Sequence, residues 1–459
     1  MTSCKHLVLA ALALALSAGP CLAASDTVEH KLSNGMRVIV KPDRRAPVVV
    51  VMLLYQVGSV DEVNGVTGVA HVLEHMMFKG TPAHPAGHYS RAIAGVGGRD
   101  NAFTSNDYTG YYAALQKSHL GLALRLEADR MANLTLSPEE FAREIKVVME
   151  ERRLRTDDRP RSQVYEQLMA TALTAHPYRN PIIGWMNDLE NLRVEDTRDF
   201  YRRWYAPNNA TLVVVGDVGA DEVVALAERH FGAIPPRTLP ERKPQQEPPQ
   251  LGVKRVTVKA PAELPYVLIA FRAPALREPE REWEPYALEM LAAVLDGNEA
   301  ARLNRTLVRE ERIASSADAS YDSIARGPGF FYLGATPTPG RSAQEVEQAL
   351  RREMAKIIED GVSGEELDRI KAQAVAAHVF QRDSMFFQAR QISSLESAGI
   401  SHRTLDLQLA KLREVTPEQV REVARKYFLD DALTIATLDP QPLAGARRAK
   451  PSLPLRHAQ

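Results

Sequence analysis

Cysteine is all but missing. Cys4 and Cys21 are the only two in 459 residues, and both precede residue 24. The rest of the chain therefore has no disulfides and no thiolate chemistry, and any metal site there must use His, Asp or Glu. Charge of one sign is missing too: 57 Lys and Arg stand against 58 Asp and Glu. No basic stripe stands out, which argues against nucleic acid as a partner. A membrane-length apolar run is also missing. The apolar stretch Leu7 to Ala18 is too short to span a bilayer. Lys5 and His6 precede it and small residues follow, so residues 1–24 read as a secretory signal peptide. The plausible cleavage sites are Cys21-Leu22-Ala23 and Leu22-Ala23-Ala24. A lipoprotein anchor at Cys21 is the competing reading, and Pro20 directly before it fits that poorly.

What is present is ordinary globular material, 45% hydrophobic and 25% charged. The length exceeds one core, so two or more domains are expected. Asn34-Gly35 between apolar stretches signals a hairpin, and Val48 to Leu54 reads as a buried strand. Ser137-Pro138 opens a long helix that stops before Pro160. Helix and strand patterns alternate to Phe231, after which six prolines fall between Pro235 and Pro249. That segment reads as a semi-rigid linker. Beyond it the same grammar restarts, and the helix and strand that close each half mirror one another. The expected organisation is a domain over 26–234, a linker over 235–252, a homologous domain without a metal site over 253–440, and a disordered tail over 441–459. The expected fold class is α+β: two duplicated domains, each an antiparallel sheet with helices packed on one face.

The chemistry centres on His71-Val72-Leu73-Glu74-His75. Residues four apart are neighbours on a helix face, so both imidazoles can reach one ion, with Glu74 beside them. The order H-x-x-E-H is the inverted form of the zinc-protease helix motif. A catalytic zinc takes three protein ligands and keeps a position for water. The helix after Pro138 offers Glu144, Glu150 and Glu151 as the third. Glu144 and Glu151, seven apart, share a face, whereas Glu150 points elsewhere. One of the pair can ligate while the other orients a ligand imidazole. Glu74 would take a proton from zinc-bound water and return it to the leaving amine. His119 and His176 have no ligand spacing, and His176 reads as a packed residue.

The run Gly68 to Thr81 closely resembles the active subunit of the mitochondrial processing peptidase and its bacterial relatives, members of the pitrilysin and insulin-degrading-enzyme family. The resemblance continues through Gly98 to Thr104, Glu144 to Glu151, His176-Pro177-Tyr178 and Tyr205 to Asn209. It implies zinc as cofactor, one per chain, with His71, His75 and Glu151 as ligands, Glu144 in support and Glu150 as the alternative ligand. It implies zinc-dependent endopeptidase activity on peptides or unfolded polypeptides in the periplasm. Substrate would add as a strand at Asn101, Ala102 and Phe103. Many relatives also hold substrate with an arginine and a tyrosine seven residues apart. Arg309 fits the first, but Ser316 stands where the tyrosine would be. In some bacterial relatives the equipment is split between two chains. The resemblance therefore implies a heterodimer whose paralogous subunit lacks the zinc motif and supplies the Arg/Tyr pair. The rival reading, a non-catalytic structural or chaperone-like subunit, applies to members that have lost the motif, which is intact here.

Overall fold

The computed structural model describes residues 27–443 and contains two sheets. In the first half, β1 (Val28–Lys31), β2 (Arg37–Pro42), β3 (Val48–Tyr55), β4 (Arg99–Thr104), β5 (Thr109–Gln116) and β6 (Ala210–Gly216) form a sheet of order β1-β2-β6-β3-β5-β4. In the second half, β7 (Lys254–Pro261), β8 (Tyr266–Ala273), β9 (Ala314–Tyr321), β10 (Gly329–Pro337) and β11 (Leu433–Gln441) form a sheet of order β7-β11-β8-β10-β9. Setting β1 aside, the two orders are the same, strand for strand, as a duplication requires.

Both sheets are mixed, which corrects the expected antiparallel form. The last strand of each half returns between the first two of that core set, parallel to one and antiparallel to the other: β6 between β2 and β3, β11 between β7 and β8. This long-range insertion leaves no local pattern to read. The hairpin at Asn34-Gly35 is as expected: β1 pairs antiparallel with β2, and Gly35 takes a φ of 89°.

The second correction concerns the faces. Helices cover both sides of each sheet. Along β3, Val49, Val51, Leu53 and Tyr55 face one core with the helix Val69–Met76, while Val50, Met52 and Leu54 face another. Alternation puts successive side chains on opposite faces, so a strand buried on both sides reads as a continuous apolar run. The second face is closed by Ala389 and Ile392 of the helix Met385–Ser397, which comes from the other half. The exchange is reciprocal. Val164, Leu168 and Met169 of the helix Pro160–Ala172 pack on Leu268, Ala270 and Leu438 of the second sheet. Each half thus lends the other a helix. The stretch 235–251 between them carries no helix or strand, yet it is tied down. Glu247 accepts from the Thr174, Ala175 and His176 amides at 2.6–2.8 Å and pairs with Arg272. The expected leader, 1–24, and all but the first three residues of the expected tail, 441–459, lie outside the described residues.

Candidate active site

The helix Val69–Met76 is buried along its whole length. Its N-terminus cannot use a side-chain cap, because Gly68 precedes it with a φ of 88°. A Cβ on Gly68 would lie 2.9 Å from Gly184 Cα, so the close approach also requires glycine. The open amides are met from elsewhere. Glu62 accepts from the Gly68 and Ala70 N–H groups at 2.8 Å each. Asp188 accepts from the Gly65 and Thr67 amides and the Thr67 hydroxyl. Two buried acidic side chains therefore fix the start of the helix, and burial pushes the Glu62 carboxyl up to about 8.

One face of this helix presents His71 and His75, with ring centroids 4.7 Å apart. Against them lies the helix Pro138–Arg152, begun by Ser137, whose side chain accepts from the Glu140 amide, with Pro138 at the first position. From it, Glu151 Oε2 stands 3.3 Å from His75 Nε2 and 3.9 Å from His71 Nε2. Among the described residues, His71, His75 and Glu151 are the group of three whose ligand atoms all lie within 4.8 Å of one another. Glu144 takes the other side of the ring, 2.9 Å from His75 Nδ1, and its second oxygen meets Lys79 Nζ at 2.5 Å. Glu150 is exposed and pairs with Arg153, so it is no ligand for this group. The α-helix ends at Arg152, where a π-helical turn, Arg153–Asp157, begins. That turn brings Arg155 Nη1 to 2.7 Å from Glu151 Oε1.

The donor set suits a divalent cation. Burial works against charge on Glu144 and on Glu151, but their contacts with the imidazoles and with Lys79 and Arg155 outweigh it and hold both carboxylates ionised. A positive charge is thus already favoured at the point where the three side chains meet. Two imidazoles and one carboxylate, with one ring oriented through its far nitrogen, make the ligand set of a catalytic zinc. Glu74 stands apart from it. It accepts from Thr104 Oγ1 at 2.7 Å, and burial pushes its carboxyl up to about 7. His71, Glu74 and Glu151 line a cavity of about 610 Å³, and so do Asn101, Ala102 and Phe103 of β4. β4 is the edge of its sheet, paired with β5 on one side only. The Ala102 N–H is capped by the Asn101 side-chain oxygen at 2.9 Å.

Arg309 is not brought to this cavity. It lies in the π-helical segment Asn304–Glu310 and pairs with Glu299 at the surface. His176 is packed, as read: buried, with Nδ1 accepting from the Tyr178 amide. The run at Tyr205 is packing as well. Tyr205 stacks on Tyr55 at 4.0 Å and its hydroxyl lies 2.9 Å from that of Tyr111. Sequence reasoning did not single out Thr104, Lys79, Arg155, Glu62 or Asp188. Lys79 follows His75 by four and Arg155 follows Glu151 by four, a spacing that marks them as neighbours. Glu62 and Asp188 had no such signal.

A buried His-His-Glu group, a separate carboxylate beside it and an open strand edge along one cavity define a metal-dependent amide hydrolase. The comparisons agree. The family described as insulinase (peptidase family M16) matches residues 37–185, and the peptidase M16 inactive domain matches residues 191–374. The zinc protease PqqE of Helicobacter pylori is 31% identical over 415 residues, spanning 89% of this chain and 92% of its own. An uncharacterised zinc protease of Mycobacterium leprae is 32% identical over 425 residues, spanning 90% of each. The crystal structure of a protease from Helicobacter pylori superposes with a TM-score of 0.86 at 30% identity, over 91% of this chain and 100% of that one. The periplasmic protease PqqL of Escherichia coli has a TM-score of 0.76 at 21% identity, over 90% of this chain and 48% of that one, and shares the fold. The chain belongs to the M16 peptidase family and is a zinc protease. No helix among the described residues is long and apolar enough to cross a membrane.

Proposed function

We propose that the chain is a periplasmic endopeptidase of short peptides and unfolded polypeptides, with zinc on His71, His75 and Glu151 and Glu74 as general base. The observation that carries this reading is the division of labour among the carboxylates. Glu151 faces both imidazoles, Glu144 faces only the far nitrogen of His75, and Glu74 faces the cavity with its proton affinity raised to about 7. Bound zinc supplies the positive charge that acidifies a water and polarises the scissile carbonyl. Glu74 takes the water's proton and passes it to the leaving amine, a task suited to a carboxyl that titrates near neutrality. Thr104 holds one oxygen of Glu74 and leaves the other for that transfer. Glu144 fixes the tautomer and orientation of His75 and is itself held by Lys79.

Substrate adds to the free edge of β4. Asn101 swings off the Ala102 amide, which then donates to a substrate carbonyl. Backbone pairing of this kind tolerates many side chains and excludes folded substrates. The residues that grip the far side of the substrate come from a paralogous subunit. Support for this comes from Arg309, engaged by Glu299 away from the cavity, and from Ser316 at the position expected for tyrosine. Arg309 would act only in the assembled pair. Export rests on the leader pattern of residues 1–24. The test is cleavage of an unstructured peptide, with products located by mass spectrometry. Internal cuts that vanish with a chelator and return with zinc are expected. Hydrolysis that survives full removal of metal would contradict the reading.

A further inference from the structure

The second half of the chain carries no metal ligand, yet one of its loops grips the first half next to the site. Arg277 shapes that loop by donating to the carbonyls of Ala325, Arg326 and Gly327. The presented backbone then meets Asp107, buried in the turn between β4 and β5. The Arg326 N–H donates to Asp107 Oδ2 at 2.9 Å. The Tyr178 hydroxyl donates to Asp107 Oδ1 at 2.5 Å and accepts from the Gly327 N–H at 2.8 Å. A Cβ on Gly327 would lie 2.5 Å from His176 Cε1, so the loop sits directly on the His176 and Tyr178 rings. The Arg326 guanidinium continues across. It donates to the Asp107 carbonyl and to Asp61 Oδ2, each at 3.3 Å.

Both anchor points lead to the active site. From Asp107 the chain runs back through Ser105 to Thr104, which holds Glu74, and to the Asn101–Phe103 edge. The turn is stiff, because Ser105 Oγ accepts from the Asp107 and Tyr108 amides. From Asp61 the next residue is Glu62, which caps the helix bearing His71 and His75. The two routes are themselves joined: the Val60 N–H donates to the Asn106 carbonyl, and Ser59 Oγ donates to Asn106 Oδ1, both at 2.9 Å.

We propose that Arg326, acting with Asp107 and Tyr178, is a positioning residue by which the second half holds the substrate-receiving edge strand in register with Glu74. It touches neither substrate nor metal. An edge strand that must accept a partner strand loses affinity if its end frays, because binding must then order it. The inference rests on β4 as the strand that receives substrate.

The test uses the full chain with Arg326→Ala, Arg326→Lys and Tyr178→Phe. Tyr178→Phe keeps the ring and removes only the bridging hydroxyl, so it decides the matter if Arg326→Ala fails to fold. Amide hydrogen exchange, zinc content and the separate values of kcat and KM are read. In Tyr178→Phe, exchange over 101–108 is expected to quicken about tenfold, and KM for an unstructured peptide to rise about as much, with kcat within about threefold; Arg326→Ala, which keeps the backbone N–H bond to Asp107, shifts both in the same direction by less. Zinc content stays as in the parent, and Arg326→Lys, which keeps a charged donor toward Asp61, recovers most of the KM. Unchanged exchange over 101–108 would overturn the clasp. Quickened exchange with unchanged KM would overturn the substrate-strand reading beneath it. Loss of zinc together with faster exchange throughout the chain would reduce Arg326 to a general support of the fold.

Discussion

Glu74 and Glu151 are both buried carboxylates on the wall of one cavity, and their environments push them in opposite directions. Glu151 faces two imidazoles and Arg155, which outweigh burial and keep it ionised. Glu74 is hydrogen-bonded by a single neutral hydroxyl, and burial outweighs the pull of His75 and Arg155 and raises it. In the proposed mechanism the pair divides the work of ligand and proton carrier. Glu144, Glu150 and Glu151 should differ accordingly in zinc affinity, measured by competition with a chelator. Glu144→Gln, which loosens the hold on His75, is expected to weaken binding about 10–100-fold, with Glu151→Gln costing more and Glu150→Gln nothing measurable. Equal losses for Glu150 and Glu151 would contradict the geometry. Much of this was legible as spacing: four between the histidines, seven between Glu144 and Glu151. Thr104 was not, because its contact with Glu74 spans thirty residues and depends on how β4 meets the motif helix.

At the scale of elements, the motif helix is short, eight residues, and starts on a glycine. An isolated helix of that length does not persist in water. It is held by burial and by the carboxylates of Glu62 and Asp188 at its start. The sequence could show where the helix begins, since Gly58 to Gly68 is a loop, but not which side chains close its end. The edge strand was legible in type and place, because glycines bound Arg99–Thr104 on the N-terminal side and an alternating strand follows. Its position at the rim of the sheet decides its use. Replacing Ala102 by Pro would remove the N–H now capped by Asn101. The expected result is a KM raised at least about tenfold with zinc retained, read by steady-state kinetics and metal analysis. An unchanged KM would move the substrate off this strand.

For the whole molecule, the informative departure is the exchange of helices between halves. The proline-rich stretch 235–252 reads as a semi-rigid linker, which leaves open how the halves meet. The structure instead locks the halves through Val164, Leu168 and Met169 on one sheet and Ala389 and Ile392 on the other. A periodic apolar face in a sequence says that a helix is covered, not which sheet covers it, so this was not legible. Neither was the parallel insertion of β6 and β11, which joins strands far apart in the chain. Halves fixed in this way cannot close on a substrate as a hinge between them would. In the two-chain reading proposed above, closure comes from the second chain. The purified protein is therefore expected to hydrolyse peptides weakly, and a motif-free paralogue bearing an Arg/Tyr pair to raise kcat/KM at least about tenfold, with a heterodimer visible by light scattering. Full activity of the isolated chain, unchanged on adding that partner, would contradict the two-chain reading. Beneath all of this lies one claim: a zinc site whose proton carrier is Glu74. The direct measurement is peptide hydrolysis and zinc content of Glu74→Gln beside the parent. The account predicts zinc bound as in the parent with turnover abolished; turnover that survives the substitution would contradict it.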